Sequence, residues 1–229
     1  MGNDDKLLIE PVAYIKNGYK EKFGVPRQSG LAEDVKSEIV FCTPYNDEVA
    51  FRGIEEYSHL WLVWGFSENI GEWSPTVRPP RLGGNTRVGV FATRSPFRPN
   101  SLGLSCVKLE EIKKTSEGIT LVVSGADLKN DTPIYDVKPY LPYVDCIEGA
   151  CGSFSDKHKN DSVDVEVLTD ASGGLSAEFI EEIKSILRLD PRPGYSNDTE
   201  KIYGFSYKEY NIKFRFDGSS IVVVGIEEA

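Results

Sequence analysis

Six short runs of β-branched and aromatic residues, LLIEPVAYI, SEIVF, HLWLVWGF, TRVGVFAT, LGLSCVKLEEI and GITLVVSG, occupy the first two thirds of the chain, separated by clusters of Gly, Pro, Asn and Asp. Branched side chains pack well on a pleated surface and the bounding residues cannot continue it, so each run reads as a strand and this region as mainly β. Between Leu102 and Ile112 the apolar positions Leu102, Leu104 and Cys106 share one face and Val107 and Leu109 the other. That shift predicts a bulge or strong twist, and with it a curved or closed sheet. Trp61 and Trp64 stand an odd number of residues apart, so one belongs to the core and the other faces outward. Pro75, Pro79, Pro80, Pro96 and Pro99 are excluded from central strands, which makes WSPTVRPPRLGGN and RSPFRPNS loops flanking the expected strand TRVGVFAT.

Around residues 150 to 162 the chain turns polar in ACGSFSDKHKNDS, a linker or long surface loop. Beyond it, LSAEFIEEIKSILRL places Phe179, Ile180, Ile183, Ile186 and Leu187 on one helical face, with Ser176 as N-cap and Glu178 in the first turn. KIYGFSY, YNIKFRF and SIVVVGI then read as three strands joined by short turns. The expected organisation is a mainly β, barrel-like N-terminal domain over residues 1–150 and a small α+β C-terminal domain over 151–229, with the linker at about 151–162. A hydrophobic fraction of 40% in 229 residues supplies a sizeable core.

The net charge of −10 argues against binding nucleic acid by overall attraction. Yet Trp73 through Leu109 contains no Asp or Glu, while Arg78, Arg81, Arg87, Arg94, Arg98 and Lys108 carry six positive charges, leaving −16 on the remainder. Five of the six are Arg, whose planar fork suits phosphate and carboxylate. An anion-binding segment is expected; a solvated basic loop is the alternative. Cys42, Cys106, Cys146 and Cys151 form no CxxC pair and only His59 and His158 supplement them, so no metal site is expected and the thiols read as reduced and partly buried. No apolar run approaches the roughly 18 residues of a membrane span, and MGNDDKLLIE carries acids where a signal peptide is basic, so the expected location is cytoplasmic. GxxxxGK[ST], GxGxxG and GxSxG are all absent. A hydrolase built on Ser58 and His59 with a remote acid stays open.

YKEKFGVPRQSGL, GIEEYSHLWLVWGF, VRPPRLGGNTRVGVFATRSPFRPNSLGLS and DTPIYDVKPYLPYVD resemble, in this order, the motifs of the TsaA-like (TrmO) family of tRNA methyltransferases over residues 7 to about 150. LDPRPGY with YGFSYKEYNIKFRF resembles that family's small C-terminal domain. The resemblance implies a homodimeric, non-Rossmann β-barrel enzyme that uses S-adenosyl-L-methionine to methylate N6 of threonylcarbamoyl-adenosine next to the anticodon of tRNA. It places cofactor contacts at Pro26, Arg27, Gln28, Ser58, His59, Arg94 and Leu104, and at Asp131, Thr132, Pro133 and Ile134. Several have a plain structural alternative: a surface ion pair for Arg27, a satisfied strand-end histidine for His59, an Asx turn for DTPI. Arg78, Arg81, Arg98 and Asn100 are the expected RNA contacts, with the threonyl carboxylate as a second partner for Arg98 and a rigid Pro-Asn turn as the alternative for Asn100. Asp136 and Asp145 are the nearest carboxylates for a general base, but pairing with Lys138 or an arginine is the stronger reading, and the base is left unassigned. A non-catalytic RNA-binding barrel is the competing reading of the whole chain.

Overall fold

The structure, a computed structural model, describes residues 7–69, 71–82, 85–158, 161–171, 173–192 and 198–229, with the side chains of Arg81 and His158 left out. In chain order the strands are β1 (Ala13–Lys16), β2 (Lys36–Phe41), β3 (His59–Gly65), β4 (Thr76–Val77), β5 (Val88–Gly89), β6 (Leu102–Thr115), β7 (Gly118–Ser124) and β8 (Pro133–Pro139). They are followed by β9 (Asp164–Val167), β10 (Ile202–Tyr207), β11 (Tyr210–Phe216) and β12 (Ser220–Glu228). Helix α1 (Pro142–Asp145) is a single turn, and α2 (Ala177–Leu187) precedes β10.

Strands β1-β2-β7-β6-β3-β8 close into an antiparallel barrel. Closure removes the unpaired edges that an open sheet of this length would expose. Strict alternation along β3 sends Leu60, Leu62 and Trp64 inward and leaves His59, Trp61 and Val63 on the outer face. The interior is completed by Ile15, Ile39, Val107, Leu121, Val123 and Ile134. On β6, Ser105 and Val107 point inward and Leu102 and Leu104 outward. The register of β6 against β7 slips between Leu109 and Glu111, the expected bulge displaced slightly along the strand.

Three strand expectations need correction. TRVGVFAT is not a continuous strand: only Val88 and Gly89 pair, with Val77 and Thr76, and a 3-10 turn over Val90–Ala92 follows. Thr93 closes that turn by donating its backbone N–H and its hydroxyl to the Val90 carbonyl. LLIEPVAYI shrinks to Ala13–Lys16. Conversely, PIYDVKP forms β8, the strand that closes the barrel between β1 and β3. Its two prolines obscure it in the sequence, but they are its first and last residues, where a missing N–H is tolerated.

Beyond the barrel, β10-β11-β12-β9 form a four-stranded sheet, with the unexpected β9 parallel to β12. Helix α2 is capped as its sequence predicts, Ser176 Oγ accepting from the Phe179 N–H at 3.2 Å. Its face carrying Phe179, Ile183, Ile186 and Leu187 joins Tyr203, Phe205, Tyr207, Ile212 and Phe214 in a second core. Tyr19, Ala32 and Val35, with Phe23 and Val25 against them, belong to this core although they lie between β1 and β2. The close approach needs glycine: a Cβ on Gly24, whose φ is +92°, would stand 2.7 Å from the Phe205 ring. The segment that ends in Pro26-Arg27-Gln28 is therefore gripped by the C-terminal sheet while its two ends run into the barrel.

The Trp64 indole lies directly over Gly103, leaving 2.3 Å for a Cβ there. Gly103→Ala must displace a ring that is only 7% exposed and is expected to cost about 1–3 kcal/mol. Denaturant titration followed by tryptophan fluorescence checks it, an unchanged midpoint being the contrary result.

Candidate functional site

Two motifs far apart in sequence meet at the turn after Phe23. Arg94, delivered by the loop after the Val90–Ala92 turn, donates from Nη1 to Gln28 Oε1 at 2.6 Å. Gln28 Nε2 donates to the Arg27 carbonyl, which stiffens the turn. Pro26 is buried, and Ser29 Oγ accepts from the Cys106 N–H at 3.2 Å, fastening the turn to β6. Leu104 stands nearby on the outer face, 54% exposed for a strand leucine. An exposed guanidinium, an amide with both a donor and an acceptor, and a bare aliphatic side chain make a donor set for a ligand that combines a carboxylate with an apolar ring.

Arg27 points elsewhere. Its Nη2 donates to the carbonyl oxygens of Asp190 and Arg192 at 3.1 and 3.4 Å, tying the turn to the DPRP segment. That segment is itself rigid: Arg192 is buried, forks onto the Asp190 carboxylate through Nε and Nη2, both at 2.7 Å, and stacks 3.6 Å from the Phe216 ring.

Behind the turn lies a residue that the sequence motifs do not single out. Asp127 accepts from Ser105 Oγ at 2.5 Å, and Ser105 in turn accepts from Trp64 Nε1 at 2.9 Å. Burial holds the Asp127 carboxyl above the ordinary carboxylate range, opposed by the Ser105 hydroxyl, by backbone amides including that of Ser29, and by the charge of Arg94. One signal for it exists in the sequence: a lone acid between Ala126 and Leu128, both of which prove to be fully in the core. Asp127 also lines a cavity of about 300 Å3, with Phe23, Pro26 and Arg27 of the turn, Trp64 and Phe66 after β3, and Leu189 of the C-terminal domain among its walls.

The DTPI segment is adjacent but largely spent on the fold. Asp131, at φ +64°, donates its N–H to the Ile15 carbonyl and pairs with Lys16. Ile134 is fully buried opposite Ala13, and Pro133 stands opposite Tyr14. Thr132 reaches the cavity. Ser58 and His59 lie at the start of β3, with His59 opposite Lys108 of β6, and among the described residues no hydrogen bond joins them to the Arg94–Gln28 pair. There Ser58 Oγ is 2.9 Å from His59 Nδ1, and His59 and Trp61 pack against Tyr140. Asp145 accepts from Trp61 Nε1 and from the Leu141 N–H, and among the described residues no carboxylate is hydrogen-bonded to the His59 imidazole. Asp136 pairs with Lys138 at 2.8 Å, as the structural reading expects.

The acid-free segment divides by role. Arg78 and Asn100 are exposed, whereas Arg98 donates to the carbonyls of Val90 and Thr93 at 3.3 and 2.6 Å and so locks its own loop. The Arg81 side chain lies outside the described residues. Cys146 and Cys151 are exposed rather than partly buried, and the Cys106 thiol is pushed up by burial. Among the described residues no group of three or more potential metal ligands occurs, and no helix is long and apolar enough to cross a membrane.

A closed antiparallel barrel bearing this cluster, followed by a small α+β unit, defines a β-barrel protein outside the Rossmann class. The models of the tRNA-methyltransferase O N-terminal domain and the TrmO C-terminal domain match residues 14–146 and 163–229, and the chain belongs to that family. It is 37% identical to the tRNA (adenine(37)-N6)-methyltransferase of Escherichia coli strain K12, over 96% of this chain and 97% of the relative. A Pseudomonas aeruginosa relative named provisionally as the S-adenosylmethionine-dependent methyltransferase RcsF is 34% identical over 94% of this chain and 95% of its own. The crystal structure of TrmO from Pseudomonas aeruginosa is similar over 96% of this chain and 98% of its own, with a TM-score of 0.78 and 28% identity.

Because its carboxyl is held above the ordinary range, folded Asp127 binds its proton more tightly than the unfolded chain does. The associated stability is complete below the ordinary Asp pKa and falls as pH rises through the raised value. Asp127→Asn is accordingly expected to gain stability relative to the unsubstituted protein as pH rises from about 4 to 7. Thermal melts across that range check it; a difference independent of pH is the contrary result.

Proposed function

We propose that the chain transfers a methyl group from S-adenosyl-L-methionine to N6 of an adenine in tRNA, the adenine next to the anticodon that carries a threonylcarbamoyl group. The observation that carries this is the Arg94–Gln28 contact at 2.6 Å, which joins two family motifs 66 residues apart beside an exposed Leu104. S-adenosylmethionine supplies an electrophilic methyl on a sulfonium when bound. Arg94 would hold its carboxylate, Gln28 would orient it through donor and acceptor, and Leu104 would offer an apolar face to its adenine. The chain's remaining task is to align acceptor and methyl in a dry site, since an in-line displacement asks chiefly for positioning.

Ser58 and His59 enter this reading through a second copy of the chain. Leu102 and Leu104 are exposed on the outer face of β6, and Phe91 and Phe97 in the preceding loop are exposed as well, from 37% to 75% over the four. A homodimer through that face would cover them and bring one copy's Ser58–His59 toward the other's Arg94. Arg78 and Arg81 supply the proposed contacts to RNA phosphates, with Arg98 and Asn100 holding the adjoining loop in shape. The two-part division near residue 150 and a cytoplasmic location belong to the same proposal.

Incubation of purified protein with threonylcarbamoylated tRNA and S-adenosylmethionine, followed by nucleoside mass spectrometry, tests the activity; the expected product is heavier by one methyl at N6, and unmodified nucleoside refutes the reading. Arg94→Ala is expected to weaken calorimetric affinity for S-adenosylmethionine about 10–100-fold, the equivalent of a charge-assisted hydrogen bond. Arg78→Ala combined with Arg81→Ala is expected to lower the salt slope of tRNA binding by about one to two units with cofactor affinity unchanged, as titrations at several salt concentrations will show.

A further inference from the structure

We infer that the cavity between the barrel and the C-terminal domain receives the acceptor nucleobase, extruded from its strand, and that Asp127 is the catalytic residue that takes the proton leaving N6. The inference rests on the methyl-transfer reading above and assigns that reaction its acceptor site and its base.

Size, walls and position argue together. At about 300 Å3 the cavity is at the small end of ligand sites, room for one heterocycle and its substituent. Phe23, Val25, Pro26, Trp64 and Phe66 make its walls largely apolar and partly aromatic, the surroundings by which unstacked bases are recognised in RNA loops and in enzymes that act on extruded bases. Lys22 also lines it, a cation suited to a strand of phosphates passing outside, whereas Lys129 is paired with Glu68.

The residues proposed here for the methyl donor, Gln28, Arg94 and Leu104, are not among the cavity's walls, although Pro26, Arg27 and Thr132 of the family's cofactor motifs are. The turn is thus shared: its Pro26 and Arg27 line the cavity, and the next residue, Gln28, meets Arg94 of the donor set, so acceptor and donor adjoin there. Asp127 serves both sides: it lines the cavity, and it feels the charge of Arg94. Glu68, the other carboxylate lining the cavity among the described residues, is bound to Lys129 and held below the ordinary range by that hydrogen bond. Asp136 and Asp145 lie outside the cavity.

The chemistry needs such a group. The lone pair of a ureido-like N6 is delocalised into ring and carbonyl, so attack requires that the proton leave as the new bond forms. The N6–H bond breaks with its proton passing to an Asp127 oxygen, N6 bonds to the methyl carbon, and the carbon–sulfur bond breaks with its electron pair going to sulfur, discharging the sulfonium. A carboxylate raised by burial is a better proton acceptor than an ordinary one, and Ser105 fixes its orientation.

Two variants of the full-length protein test this, each checked for an unchanged circular dichroism spectrum. Leu189→Trp fills the cavity from the C-terminal side; single-turnover transfer to threonylcarbamoylated tRNA should fall at least about 100-fold while calorimetric affinity for S-adenosylmethionine stays within about twofold. Asp127→Asn should lose transfer to a similar extent while affinity for an anticodon stem-loop, read by anisotropy, is retained. Loss of cofactor affinity in Leu189→Trp would make the cavity the donor's site and overturn the assignment, as would undiminished transfer in either variant. Absence of transfer by the unsubstituted protein would overturn instead the methyl-transfer reading on which the assignment rests.

Discussion

Everything at the candidate site depends on how the segment between β1 and β2 is held. Its aromatic side chains are committed to the C-terminal core, its glycines permit a contact that a Cβ would block, and its last residues fasten to β6 through Ser29. Neither core alone would fix the turn at Pro26-Arg27-Gln28. Arg27 adds a further tie by reaching the Asp190 and Arg192 carbonyls, and those carbonyls are steady because Arg192 is clamped by Asp190 and Phe216. The small domain thus acts on the site without contributing to the barrel.

A half-buried carboxylate beside core residues loses part of its hydration, and its place between Ala126 and Leu128 is not explained by packing alone. Asp127 is satisfied by Ser105 and by backbone amides, so it is tolerated, yet its charge remains disfavoured. The chain Trp64–Ser105–Asp127 links core packing to the site in three side chains, so a change in how the indole packs is felt at the carboxylate.

Much of this was legible in the residues, for identifiable reasons. Helix α2 carries its period and its cap in one contiguous stretch, and β3 announces both of its faces through the odd spacing of Trp61 and Trp64. Strand β8 was hidden because proline is read as a breaker unless its place at a strand end is known, and TRVGVFAT misled because alternation cannot show that a chain turns after Gly89. At the site, the meeting of Gln28 and Arg94 follows from family motifs rather than from spacing. The tie of Arg27 to backbone carbonyls is a tertiary contact between residues some 163 positions apart, and no local pattern encodes it. Asp127 went unnoticed because a single acid beside a strand end usually signals a turn.

The basic stretch has a consequence for how an encounter begins. Six cations fall in one acid-free segment of a chain that otherwise carries −16, so charge is unevenly distributed along it. Where such a segment meets a polyanion, the exposed Arg78 attracts it while the acidic remainder repels it, which orients the two bodies before they touch. Orientation is then selected during diffusion rather than by trial after collision, which favours fast and strongly ionic-strength-dependent association.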